Sequence, residues 1–111
     1  MRYTNSMKTI LKYQLANGKI PFDEWFEKLD KARKAKVLVR LERLKNGLYG
    51  NHRNLTKGIK ELRFLSGERI YFYEENEKIV LLLNAGNKQR QSNDIKTAEI
   101  YLADYLSQNI F

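Results

Sequence analysis

The strongest constraint in this sequence lies between residues 59 and 95, where three strand-like runs follow one another with short polar breaks. Residues 59–65 and 69–74 alternate. Leu62 and Phe64 fall on one side with Glu61 and Arg63 on the other, and Ile70 and Phe72 separate in the same way from Arg69, Tyr71 and Tyr73. Residues 78–85 hold a continuous apolar run over 79–83, as expected of a central strand covered on both faces. A basic polar segment over 86–91 and a helix start over 92–94 complete the stretch. The pattern predicts an antiparallel three-stranded meander followed by a helix.

Pairing geometry sharpens this prediction. A two-residue loop at Ser66-Gly67 would set Arg63 opposite Ile70 and turn the apolar sides of the two strands apart. The side-chain period of two forbids that where one face is buried. A three-residue loop over 66–68 restores agreement and pairs Leu65 with Arg69, Arg63 with Tyr71 and Glu61 with Tyr73, Gly67 supplying backbone freedom. Arg63 and Arg69 then become diagonal neighbours, about 7–8 Å apart on one face, with Tyr71 beside them. Two guanidinium groups over a phenol form a candidate phosphate site.

Upstream, residues 8–15 alternate as a first strand, with Thr9, Leu11, Tyr13 and Leu15 on one face and Ile10, Lys12 and Gln14 on the other. Asn17-Gly18 ends it as a turn dipeptide. Pro21 suits a first helical position, and Asp23 and Glu24 favour the positive end of the helix dipole. Phe22, Trp25, Phe26 and Leu29 make a core-facing stripe. Asp30 caps a second helix whose expected buried stripe is Ala35, Leu38, Leu41, Leu44 and Leu48, with Val37 at its margin and Asn46-Gly47 as its stop. Residues 48–58 read as a loop holding His52, and a lone histidine in a polar loop is more often incidental than catalytic. The last helix carries Ile95, Ala98, Leu102 and Tyr105 at docking spacing, while residues 1–6 and 109–111 read as a tail and a fraying end.

At 111 residues the chain is expected to be one domain over 1–111, burying roughly two-thirds of its unfolded surface. It has no cysteine and one histidine, which excludes a disulfide framework, a thiolate metal site and a histidine-rich one. Its carboxylates are scattered, so no metal and no cofactor are expected. No apolar run approaches the about 18–20 residues of a membrane span and no signal peptide is evident, so a soluble cytoplasmic protein without membrane contact is expected. Twenty-one Lys and Arg against 13 Asp and Glu give a net charge of +8, which favours a polyanionic partner. The basic row on the second helix, including Arg40 and Arg43, is either a solvated face or a rail for a nucleic-acid backbone.

The order strand, two helices, meander and final helix resembles the RelE/ParE toxins of type II toxin–antitoxin modules. It is most similar to their phage-derived, Gp49-like or HigB-like branch of addiction module killer proteins. The resemblance runs from residue 7 to about 106. It rests on Phe22-Asp23-Glu24-Trp25, Arg40-Leu41-Glu42-Arg43-Leu44, Lys57-Gly58 before Glu61-Leu62-Arg63, Gly67-Glu68-Arg69-Ile70-Tyr71-Phe72, the 79–83 run, Gly86-Asn87-Lys88, Gln91 and Asp94-Ile95 with Ala98. It implies an α+β, RelE-like fold and a metal-independent messenger RNA endoribonuclease. Such a toxin acts on the ribosome and is silenced by a cognate antitoxin, expected to be a helix-turn-helix DNA-binding protein.

In that chemistry the ribose 2′-hydroxyl attacks the adjacent phosphate and leaves a 2′,3′-cyclic phosphate. The resemblance assigns Arg63 and Arg69 to phosphate binding and charge stabilisation. It assigns Lys88 to phosphate binding or protonation of the leaving oxygen, and Tyr71 to proton transfer or base stacking. Lys57, Lys60, Arg53, Arg90, Arg40 and Arg43 are the expected further RNA contacts. Asn87 and Arg90 depart from the branch's usual Asp and small hydroxyl residue, and the general base stays open. Structural alternatives stand beside each role: Arg63 paired with Glu61 or Glu68, Arg69 stacked on Tyr71, Lys88 solvated, and Tyr71 packed in the sheet. Two other functions also stand open, a ParE-like toxin that inhibits DNA gyrase without catalysis and a non-toxic nucleic-acid-binding module.

Overall fold

A computed structural model describes residues 7–108; the expected tail over 1–6 and frayed end over 109–111 lie outside them. Strand β1 (Thr9–Lys12) is shorter than its alternating pattern. It is followed by α1 (Pro21–Glu27) and α2 (Lys31–Lys45), then the short β2 (His52–Asn54). The meander is β3 (Ile59–Arg63), β4 (Glu68–Glu75) and β5 (Ile79–Asn87), and α3 (Gln91–Gln108) follows. The five strands form one sheet in the order β1-β5-β4-β3-β2. The fold is mixed α+β. β1 runs parallel to β5, a pairing that needs a long crossover and that alternation alone does not reveal. Among the described residues no helix is long and apolar enough to cross a membrane.

The two helices form where their end signals stand. Pro21 opens α1 with Asp23 and Glu24 in its first turn. The Asp30 carboxylate accepts the Arg33 backbone N–H at 2.8 Å, and this bond holds its pKa below the usual range. The buried face of α2 differs from the expected stripe. Val37 and Leu44 are buried with Leu41 partly so, whereas Leu38 and Leu48 are exposed. The helix carries two apolar lines, and the i, i+4, i+7 set of Val37, Leu41 and Leu44 is the one that meets the sheet.

The β3–β4 hairpin corrects the predicted register. Arg63 lies directly opposite Arg69, Glu61 opposite Tyr71 and Ile59 opposite Tyr73. The Phe64 N–H donates to the Glu68 carbonyl at 3.0 Å, so the three-residue loop is Leu65-Ser66-Gly67. Gly67 occupies its last position at φ +107°, in the left-handed region that such loops need there. The loop sits one residue earlier than predicted and the pairing shifts by two, so every side chain keeps its face.

Residues 48–58 are not all loop. β2 pairs with β3 at the sheet edge; three polar residues carry no alternation, and an edge strand needs only backbone partners. In β5, Tyr71 pairs with Asn84 but Phe72 with Leu82, which leaves Leu83 as an extra residue in a bulge. Leu62, Phe64, Ile70 and Phe72 face α1 and α2, while Ile59, Tyr71, Leu81 and Leu83 face α3. α3 begins at Gln91, just before the expected 92–94, and buries Ala98 and Leu102 with Ile95 and Tyr105 beside them. A single 3-10 turn (Lys88–Arg90) precedes it, with the Asn87 side chain accepting the Gln89 and Arg90 backbone N–H groups.

Candidate nucleic-acid interface

Strand alternation sets Glu61, Arg63, Arg69 and Tyr71 on the α3 face of the sheet, and β2 adds Arg53 opposite Glu61. Two arginines directly opposite repel unless a carboxylate lies between them. Glu61 is that carboxylate, and it is fully buried. Arg53 Nε approaches its Oε1 at 3.4 Å and Arg63 Nε at 3.7 Å, while Arg69 Nε lies 4.0 Å from Oε2. The Gln91 side-chain amide donates to Oε2 at 2.6 Å, so the first residue of α3 closes the group. A buried charge persists only when paired, and three guanidiniums pair this one.

The three arginines differ in reach. Each faces Glu61 through Nε. Arg69 Nη1 turns inward to the Phe64 and Glu68 carbonyls, and its side chain is only 9% exposed. The side chains of Arg53 and Arg63 are 49% and 37% exposed, and neither spends an Nη group on a hydrogen bond among the described residues. Arg63 and Arg69 therefore share a face as expected, but as a direct pair in which Arg69 is the buried member. The accessible guanidiniums are Arg63 and Arg53.

Tyr71 does not sit at a surface. The register that sets it opposite Glu61 puts it beneath α3, fully buried, with no ring face for a base. Burial pushes its phenol well above the ordinary range, the nearby Glu61 and Asp94 charges add to this, and Arg69 opposes them. Lys88 is exposed in the 3-10 turn, and its backbone N–H donates to the Gly67 carbonyl at 3.0 Å, which latches that turn to the hairpin loop. Arg90 is exposed beside it.

The remaining expected contacts scatter. Lys57 lies before β3, at the end away from Arg63, with Nζ 3.6 Å from Glu99 of α3. Lys60 alternates onto the α1/α2 side and donates to Asn54 at 3.3 Å. Arg40 serves packing rather than a rail: it donates to the carbonyls of Arg63, Tyr49 and Asn51 and lies 4.6 Å over the Phe64 ring. Burial lowers its pKa, and neighbouring Arg43 adds to this. Arg43 is exposed on α2, across the sheet from Arg63.

Beside this cluster, Asn84 and Asp94 bury polar groups that the sequence reading did not connect to it. Asn84 donates to the Asp94 carbonyl at 3.1 Å. The Asp94 carboxylate covers Gly86, where a Cβ would come within 2.0 Å of its Oδ2. Burial raises the Asp94 pKa against the opposing charge of Arg90. Asn84 Oδ1, Asp94 Oδ2, Glu61 Oε1, the Nε atoms of Arg63 and Arg69 and the Tyr71 hydroxyl are all buried without a hydrogen-bond partner among the described residues. Such atoms are rare in a folded chain, and here they gather on one face. Little in the sequence signalled this, because Gly86 reads as part of the polar segment and only the structure extends β5 over it to Asn87. Beside Arg53, an open cleft of about 340 Å³ is lined by Gln91, Ser92, Ile95 and Lys96. Among the described residues no three acidic or histidine side chains converge on a metal position.

The chain is thus a mixed-sheet α+β protein with a basic, carboxylate-centred cluster beneath its last helix. Residues 24–107 match the family model described as phage derived protein Gp49-like, and the chain belongs to this family, which is associated with toxin–antitoxin modules. The chain is also similar to an uncharacterised protein of Haemophilus influenzae, 39% identical over 84 residues that cover 73% of this chain and 85% of that protein.

Proposed function

We propose that this chain is the toxin of a type II toxin–antitoxin pair and that it cleaves messenger RNA on the ribosome, without metal, until an antitoxin binds it. Three arginines gathered around one buried carboxylate, with the Nη groups of Arg53 and Arg63 unbonded among the described residues, carry this reading. The anchoring through Nε fixes both guanidiniums before RNA arrives, so little reorganisation accompanies charge build-up.

In this reading the scissile phosphate rests on Arg53 and Arg63. The ribose 2′-hydroxyl gives its proton to solvent water and its oxygen bonds to phosphorus. The bond from phosphorus to the 5′-oxygen breaks, giving a 2′,3′-cyclic phosphate and a 5′-hydroxyl, and Lys88 protonates the departing oxygen. Arg69 and Glu61 act as positioning residues, since neither reaches solvent to any useful extent.

Mapping RNA ends after brief induction in growing cells tests the proposal. In-frame cuts in translated messages that vanish with Arg63→Ala are the expected result. Intact messages together with stalled gyrase would overturn it in favour of the ParE-like alternative.

A further inference from the structure

We propose that the groove between the outer face of α2 and the tip of the β3–β4 hairpin receives an acidic amphipathic helix of a partner protein. The groove measures about 410 Å³; Ala35, Val39, Phe64 and Leu65 form its apolar lining, and Lys36 and Arg43 flank it. Leu65 at the hairpin tip is fully exposed and Val39 half exposed, with Leu38 also exposed on the same helix. Isolated exposed apolar residues are ordinary, but a contiguous cluster in a concave site with a polar rim marks an interaction surface.

Charge selects the occupant. α2 carries seven basic residues and one acidic residue. Arg33 is tied to Asp30 and Glu68, Lys45 to Glu42, and Arg40 to backbone carbonyls. Lys36 and Arg43, seven residues apart on the groove side, form no ion pair among the described residues. They also lie across the sheet from the Glu61 cluster, so they cannot share a phosphate with Arg63. A helix with an apolar spine at i, i+4 and i+7 and flanking carboxylates satisfies both the floor and the rim. A second copy of the chain does not, because a two-fold contact would set these cations against themselves.

The inference deepens the toxin reading by naming the surface and chemistry for its antitoxin, and it rests on that reading for the partner's biological role. Arg40, which also lines the groove, donates to the Arg63 carbonyl at 2.8 Å, so the docked helix lies one side chain behind β3.

The test uses the full chain and a fluorescein-labelled 20-residue model helix with a leucine spine and glutamate flanks, followed by anisotropy. Saturable binding that weakens at least tenfold in a Val39→Asp, Leu65→Asp double variant is expected, as is a similar loss for Lys36→Glu with Arg43→Glu. Far-ultraviolet circular dichroism should be unchanged in both, because these side chains are exposed. Unchanged affinity in the first double variant, or equal binding of a helix with serine in place of the leucine spine, would overturn the proposal. So would displacement of the helix by a 20-nucleotide single-stranded RNA that itself loses affinity in the charge-reversed variant, which would make this face a nucleic-acid rail. The nuclease reading fails separately: a wild-type chain that cuts no RNA yet shows the spine-dependent binding keeps the groove and loses the nuclease.

Discussion

At the residue scale, the decisive fact is that Arg63 and Arg69 are chemically identical and occupy opposite roles. Both face Glu61, but one keeps solvent contact and the other is covered. Removing one member of a buried ion pair leaves its partner uncompensated and costs roughly 3–5 kcal/mol, whereas a half-exposed pair contributes about 1 kcal/mol or less. Arg69→Ala should therefore lower the urea midpoint and, through it, the unfolding free energy by an amount of that larger size. Arg63→Ala should leave stability nearly unchanged and reduce RNA cleavage about a hundredfold, as expected for loss of one charge-stabilising donor. Equal midpoints for Arg69→Ala and the wild type would remove the anchor role. The common face of these two residues was legible from alternation, because a shift of two preserves parity. Their unequal burial was not, since it depends on where α3 and the hairpin loop lie.

At the element scale, α3 is held to the sheet at both of its ends. Near its start, the Asp94 carboxylate fills the space over Gly86. Gly86→Ala should push the two apart and cost about 1–3 kcal/mol, the usual range for overpacking. Asp94→Ala should recover part of that loss, and simple additivity in thermal melts of the double variant would show that the contact is not the cause. Toward its end, Tyr13 just beyond β1 stacks on Tyr101 at 4.7 Å and donates to Asp104 at 2.5 Å. Burial and this bond push the Tyr13 phenol up to about 12. The folded chain thus holds that proton more tightly than the unfolded one, so the contribution is complete below pH 10 and fades as pH rises from about 10 through 12. Tyr13→Phe should flatten that part of the stability profile, which chemical denaturation at stepped pH would measure. The helix stripe predicted this docking, and the close cover of Gly86 by Asp94 needed coordinates because the glycine read as part of a polar segment.

At the scale of the whole molecule, a net charge of +8 is divided by the sheet. The Glu61-centred cluster lies beneath α3, and the basic row of α2 lies on the other side. Each phosphate contact on single-stranded RNA contributes about −0.7 to the slope of log affinity against log salt. Arg53→Ala should reduce that slope by about 0.7, while Lys36→Gln on α2 should leave it unchanged. A matching decrease for Lys36→Gln would mean that RNA wraps both faces. The composition favours an anionic partner but could not divide the charge between surfaces.

Local chemistry in the chain was enough to specify the α+β class, Pro21 and Asp30 at the helix starts, the meander and the face shared by Arg63 and Arg69, because periodicity and capping are short-range effects. The parallel partnership of β1 with β5, the joining of Arg53 through β2, the buried line of α2 and the depth of Tyr71 were decided only in three dimensions. Each depends on which surface another element covers, and burial is a property of the assembled layers rather than of neighbours along the chain.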